Sequence, residues 1–254
     1  MKKHKTILIT GASSGLGKAL AELYAAPGIT LFLTGRNAER LREVENTCRA
    51  KGATVDIHTI SVTDRHALEE RILAWDDRHP IDLVIANAGV SGGTSMDTAQ
   101  NEAQLREIMA TNLDGTLNTV NPLIPRMKAR GHGHIALMSS MAGFRGMPNA
   151  PAYSVSKVAV RAYGDALRPL LKKDGITVST IFPGFVRTPL TDVNTFSMPF
   201  LMEAEAAAHI IRRGLEAKKS AIAFPWQMHL FCWLLGVMPR CLGDSILRHA
   251  PKKG

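Results

Sequence analysis

Cysteine is scarce: Cys48, Cys232 and Cys241 are the only three in 254 residues, and their spacing matches no metal site. An odd, widely spread set excludes a disulfide framework and a zinc knuckle and suits a reduced compartment, so a cytoplasmic protein without a metal is expected. His132 and His134 flank glycines with no thiol or carboxylate beside them, which reads as a turn rather than a metal site. No apolar run approaches the roughly 20 residues that a bilayer crossing needs. The opening Met1-Lys2-Lys3-His4-Lys5 passes straight into Ile7-Leu8-Ile9, too short for an export segment. Linker composition, internal repeats and low-complexity tracts are missing too, so a single domain over residues 1–254 is expected. Acidic residues are outnumbered, leaving a formal charge of +9, but the basic residues are scattered. Short clusters such as Arg212-Arg213 and Lys252-Lys253, in a chain with 6% aromatics, lack the stacking side chains of a nucleic-acid groove. The charge is read as a solvated face, or as a weak preference for an anionic substrate or membrane surface, and no nucleic-acid partner is expected.

Apolar residues make up 45% and charged residues 21%, the balance of a globular chain rather than a disordered one. Apolar runs at Thr6–Thr10, Thr30–Thr34, Val55–Ile60, Leu83–Ala86, Ile135–Ser139, Val178–Phe182 and Ala221–Phe224 read as strands. Between them, Ala38–Lys51, Ala67–Arg78 and Glu203–Lys218 follow the helical period. This alternation predicts an α/β fold: a Rossmann-type, doubly wound parallel sheet of about seven strands, with its ligand site beyond the carboxyl ends of the strands.

Immediately after the first strand stands TGASSGLG, with Gly11, Gly15 and Gly17 opening an Ala-rich helix. Glycines there let the chain turn sharply and let backbone approach a pyrophosphate, while the helix N-terminus offers free N–H groups; a plain tight connection is the alternative. The second strand ends Leu33-Thr34-Gly35-Arg36, without the acid that grips the ribose of NAD. An arginine suits the 2′-phosphate of NADP(H) and can stack on adenine, so NADP(H) is favoured over NAD(H), with Arg40 able to share the role. The bland alternative for Arg36 is a surface residue at the start of the next helix.

Taken together these features resemble the short-chain dehydrogenase/reductase (SDR) family, over roughly Thr6 to Thr188. The resemblance rests on TGASSGLG, on Asn87-Ala88-Gly89 after the fourth strand, on Asn112 in the following helix, and on Ser139-Ser140 ending the fifth strand. YSVSK (Tyr153 to Lys157) and PGFVRT (Pro183 to Thr188) complete it. It implies that Tyr153 is the general acid/base, Lys157 its activator, Ser140 a donor to the substrate oxygen, and Asn112 part of a water-linked proton relay. Ser140 is chosen over Ser139 because the family's serine lies thirteen residues before its tyrosine. The implied cofactor contacts are Gly11, Ser13, Ser14, Gly15, Leu16 and Gly17 of the loop, then Arg36, Val62, Asn87, Ala88 and Gly89. Tyr153, Lys157, Pro183, Gly184, Val186 and Thr188 follow. One departure is Ser61-Val62 after the third strand, where the family carries an acid near the adenine. A homodimer or homotetramer is implied as well.

The chemistry explains the residue types. Hydride addition to a ketone puts negative charge on its oxygen, which needs hydrogen-bond donors and then a proton. Free tyrosine has a pKa of about 10, so only about one part in a thousand is tyrosinate at neutral pH. Lys157, four residues on and on the same helical face, is expected to lower that value. The expected activity is therefore NADP(H)-dependent oxidoreduction of a carbonyl or secondary alcohol; a non-catalytic NADP-binding sensor or scaffold on the same fold is the alternative.

Substrate choice falls to irregular segments: 141–150 and a substrate loop at 189–202. Met141, Phe144, Met147, Phe185, Leu190, Met198 and Phe200 suggest an apolar pocket for a lipid-like compound, with Arg145 as an anion clamp. The apolar C-terminal extension, 224–254, holds a run at Leu230–Val237 that Pro239 ends. It has three readings, in this order: a cover for the pocket, a subunit contact, or peripheral membrane contact through 228–242.

Overall fold

Ile7 and Ile9 enter the core on one face of the sheet and Leu8 on the other, so the first strand, β1 (Thr6–Ile9), is buried at every position. The structure, a computed structural model, describes residues 4–92, 98–148, 150–192, 194 and 197–247. The basic clusters at Met1–Lys3 and Lys252-Lys253 lie outside these residues, as do 193, 195 and 196 of the expected substrate loop and 248–254 of the extension.

Six further strands, β2 (Thr30–Gly35), β3 (Thr54–Thr59), β4 (Leu83–Ala86), β5 (Gly133–Met138), β6 (Ile176–Pro183) and β7 (Ala221–Phe224), complete one sheet. Its order is β3-β2-β1-β4-β5-β6-β7, and every pairing is parallel. All seven expected strands are present, two with the expected bounds and the others with ends displaced by at most two residues, as is usual where hydrogen bonding fades. One displacement matters: His134 is not a turn residue but lies inside β5, 2% exposed, bonded to His4 and Ser179.

Helices α1 (Gly15–Tyr24), α2 (Ala38–Ala50) and α9 (Ala204–Glu216) cover the Ile7 face. The Leu8 face is covered by α3 (Arg65–Arg78), α5 (Gly115–Val120), α6 (Leu123–Arg130) and α7 (Pro151–Lys172), with α4 (Thr98–Met109) lying against α7. Asn37 and Asp64 cap α2 and α3 by accepting from Arg40 N and Ala67 N. Trp75 of α3 is fully buried, stacked on Phe32 at 4.9 Å, and its indole N–H donates to Asp56. After the sheet come the short α8 (Pro189–Asp192) and the terminal pair α10 (Trp226–Val237) and α11 (Arg240–Leu247). α10 packs beside β7.

Candidate active site

Strand order reverses between β1 and β4, and connections leaving in opposite directions open a crevice at their carboxyl ends. A cleft of about 1120 Å³ occupies that place, lined from Arg36 and Arg40 at one end to Phe231 and Leu247 at the other.

The glycine loop forms its floor. Gly11 and Gly15 have φ of 67° and 54°, a left-handed backbone that glycine adopts at least cost. The side chain of Ser14, the residue before α1, does not cap the helix, so the first-turn N–H groups keep no side-chain partner there. A Cβ on Gly17 would stand 2.2 Å from Gly11 O, so this glycine lets the helix close against the loop. The Asn87 amide donates to Thr10 O (2.9 Å) and Gly11 O (3.3 Å), while Thr10 Oγ1 accepts from the N–H groups of Asn87 and Ala88. Left-handed glycines beside an uncapped helix start fit the pyrophosphate of a dinucleotide.

Every expected cofactor contact lines the cleft except Gly17, which supports the loop from behind. Ser61 and Val62 line it too, beside Ile60. Arg36 is exposed, its nearest charge being Glu107 at 4.0 Å, an exposed and weak pairing.

On the opposite wall, Pro151 opens α7 and fixes its first turn, from which Tyr153, Ser156 and Lys157 project at i, i+3 and i+4. The Tyr153 and Ser140 hydroxyls are hydrogen-bonded. Lys157 is 4% exposed; its Nζ lies 5.6 Å from the Tyr153 ring centroid and donates to Met138 O at 2.9 Å. Ser139, 2% exposed, donates to Lys157 O at 2.8 Å and so ties the end of β5 to α7, as a structural serine would. Burial pushes the Lys157 ammonium down to about 8. Burial also raises Tyr153 above its ordinary value, and the bond to Ser140 opposes the rise. The expected lowering by Lys157 is therefore corrected for the chain alone: the ammonium is engaged by a carbonyl, and desolvation of the phenol dominates, although its ring stays partly open to the cleft.

Asn112 is fully buried in a π-helical turn, Ala110–Asp114, between α4 and α5. Its Oδ1 accepts from Val90 N (2.8 Å), and its Nδ2 donates to Val90 O and to Ser156 Oγ, both at 3.0 Å. Ser156 Oγ in turn donates to Tyr153 O at 2.7 Å. Asn112 thus stands behind the wall, joining the Gly89 segment to the tyrosine turn, rather than on it. Thr10, Val90 and Ser156 were missed in the sequence; only the place of Ser156 within YSVSK pointed to it.

The far half of the cleft is apolar. Met141, Met147, Phe185, Leu190 and Phe200 line it as expected, joined by Met228, Phe231, Cys232 and Leu247 from the C-terminal helices. Phe144 and Met198 do not line it: Phe144 packs on Phe182 and His229, and the Met198 sulfur accepts from Asn194. Nor is Arg145 an anion clamp. Its guanidinium donates to Leu235 O (2.7 Å), Met238 O (3.4 Å) and Arg240 O (3.3 Å) and pairs with Asp244 (2.8 Å), strapping α10 and α11 to the body. The free carbonyls at the end of α10 attract a cation more strongly than the open cleft does.

The family described as short chain dehydrogenase matches residues 5–197. An uncharacterized oxidoreductase of Myxococcus xanthus is 39% identical over 246 residues, covering 96% of this chain and 97% of that one. A dehydrogenase/reductase SDR family member 7B of Danio rerio is 38% identical, covering 74% of this chain and 62% of its own length. Among solved structures, a short-chain dehydrogenase from Sphingobium yanoikuyae in complex with NADPH superposes with a TM-score of 0.78 at 25% identity, covering 93% and 97% of the two chains. An actinorhodin polyketide ketoreductase variant with NADPH gives 0.79 at 26%, covering 90% and 99%. A Burkholderia phymatum member in complex with NAD gives 0.83 at 23% over 99% and 98%, a likeness of fold.

Proposed function

Because this chain belongs to the short-chain dehydrogenase family and is an oxidoreductase of CH–OH substrates, we propose that it moves a hydride between NADP(H) and an apolar, lipid-like carbonyl or secondary alcohol, with Tyr153 as acid and base. One observation carries the proposal: the Ser140 and Tyr153 hydroxyls meet, with Lys157 beside the ring, on a wall of the cleft that begins at the glycine cradle.

The nicotinamide supplies or accepts the hydride, and the remaining work falls to the chain. As charge develops on the substrate oxygen, Ser140 donates a hydrogen bond without ionising and Tyr153 gives up its proton. Burial keeps the phenol protonated, the state a donor needs. In the oxidative direction the tyrosinate must form against that burial, and the bond to Ser140 is what opposes the rise. The loop and first turn of α1 would hold the pyrophosphate, Arg36 with Arg40 the 2′-phosphate, and Lys157 the nicotinamide ribose.

NADP(H) over NAD(H) is supported by the missing acid after β2 and by both arginines lining that end of the cleft. The apolar far half supports the substrate class. Exposed Leu105 on α4 and Val155, Val158 and Leu170 on α7 support pairing of two copies through those helices.

Ketone-dependent oxidation of NADPH, measured beside NADH over a panel of ketones, tests the reading. NADPH should be used at least about tenfold better, a difference of the size of one charged phosphate contact. Equal use would remove the Arg36 assignment, and binding of neither nucleotide would remove the cofactor reading altogether.

A further inference from the structure

We infer that the outer face of α10 docks this chain on an anionic lipid surface and sets the mouth of the cleft against it. The docking stands by itself; only the entry of a lipid-borne substrate rests on the proposed function.

Helix α10 contains no charged residue. Cys232 and Leu235, on its inner side, are buried at 3% and 1% exposure. Trp226, Leu230, Trp233, Leu234 and Val237 stand at i, i+4, i+7, i+8 and i+11, one outward stripe, and are 44% to 69% exposed. A helix on a water-facing surface carries polar residues there. Two of the five are tryptophans, whose ring is apolar along its body and polar at the indole N–H, a chemistry matched to the lipid–water boundary.

Two further observations choose lipid over a folded partner. Phe231, Ile246, Phe200 and Leu190 are all at least 36% exposed, yet all line the cleft, so the apolar surface continues from α10 over the lip and inward. A second copy or folded protein seated on the stripe would close that lip, whereas a lipid surface leaves it open to apolar molecules. The charge balance of the same segment is also one-sided. Residues 224–254 contain Arg240, Arg248, Lys252 and Lys253 against one acid, Asp244, and that acid is already paired with Arg145. Such a segment is attracted to anionic headgroups. Among the described residues no helix is long and apolar enough to cross a membrane, so the contact is peripheral.

The probe is a set of sedimenting vesicles, either pure phosphatidylcholine or phosphatidylcholine with an equal part of phosphatidylglycerol, mixed with the full chain. The chain should bind the mixed vesicles at least about tenfold more tightly than the neutral ones. Its tryptophan emission should shift to the blue on binding, a signal from Trp226 and Trp233 because Trp75 is already buried. Trp226→Ser/Trp233→Ser, outside the cleft wall, should weaken binding roughly a hundredfold while the circular dichroism and NADPH binding stay unchanged. Should that double variant misfold, Leu234→Glu alone must weaken binding in the same way. Absence of vesicle binding, binding indifferent to these substitutions, or a lipid-free dimer that they split would each overturn the docking and leave the hydride-transfer reading untouched. Failure of NADPH oxidation with normal vesicle binding would do the reverse.

Discussion

The ammonium of Lys157 stands 5.6 Å from the centroid of the Tyr153 ring and, among the described residues, has a backbone carbonyl, Met138 O, rather than a carboxylate as its polar partner. An unpaired buried charge of this kind costs stability, and it is tolerated where a charge is needed for something else.

Removing that charge should therefore stabilise the chain. The native lysine titrates near 8 and the unfolded one near the ordinary 10.5, so at neutral pH the native state carries a desolvation cost of about 3 kcal/mol. Between those two values the unfolded chain binds more protons, and native stability rises with pH. Lys157→Met should gain about 1 to 2 kcal/mol at pH near 7 after loss of the Met138 bond, and the gain should shrink as pH rises from about 8 to about 10.5. Urea unfolding across that range checks the sign.

Tyr153→Phe removes the proton donor and leaves the cleft shape intact. Turnover should fall about a thousandfold, while NADPH affinity, followed by nucleotide fluorescence, should change less than about threefold. Near-normal turnover would remove Tyr153 from its proposed role.

Gly17→Ala places a methyl 2.2 Å from the backbone oxygen of Gly11 and 2.6 Å from the Asn87 amide, which is itself held by Thr10 O and Gly11 O. The loop must move, so both stability and nucleotide binding should suffer, by about 2 kcal/mol or more in unfolding and over about tenfold in affinity. Binding titration and thermal unfolding measure the two effects separately.

Arg145→Met cuts the strap that holds α10 and α11. The sheet does not depend on this contact, so unfolding should shift by only about 1 to 3 kcal/mol. Limited proteolysis should cut more readily near residues 236–240. The substrate KM should rise about tenfold, with nucleotide affinity unchanged, because the loosened helices carry Met228, Phe231, Cys232 and Leu247 of the apolar wall.

His134 titrates near 3 in the native state, lowered first by burial and then by neighbouring His4 and Lys218, against an ordinary 6.5. As pH falls from 6.5 towards 3 the unfolded chain takes up a proton that the native one refuses, so stability is lost over that window. Between pH 6.5 and 5 the loss should be about 2 kcal/mol, and His134→Gln should flatten the slope.

The glycine loop, Asn87, Ser140 and the Tyr153–Lys157 pair were legible because each needs particular residue types at short spacings, and a sheet of parallel strands leaves their elements few alternative places. Arg145 was not. An arginine beside an apolar loop has the same appearance whether it faces a ligand or a helix end 90 residues away, and only packing decides. The direction in which Tyr153 is shifted was also hidden, since it depends on how much water reaches the phenol and on what Lys157 already bonds.

By itself, the sequence determined the seven strands, their parallel pairing, the cradle at the first turn and the order of the proton-handling groups, because local periodicity and backbone permissiveness act over a few residues. The tertiary structure alone decided that Asn112 is joined to Tyr153 through Ser156, that Gly17 works from behind its loop, and that α10 keeps a bare apolar stripe at the lip of the cleft. Those are contacts between segments far apart in the chain, fixed by which surfaces are buried together, and no spacing within one segment records them.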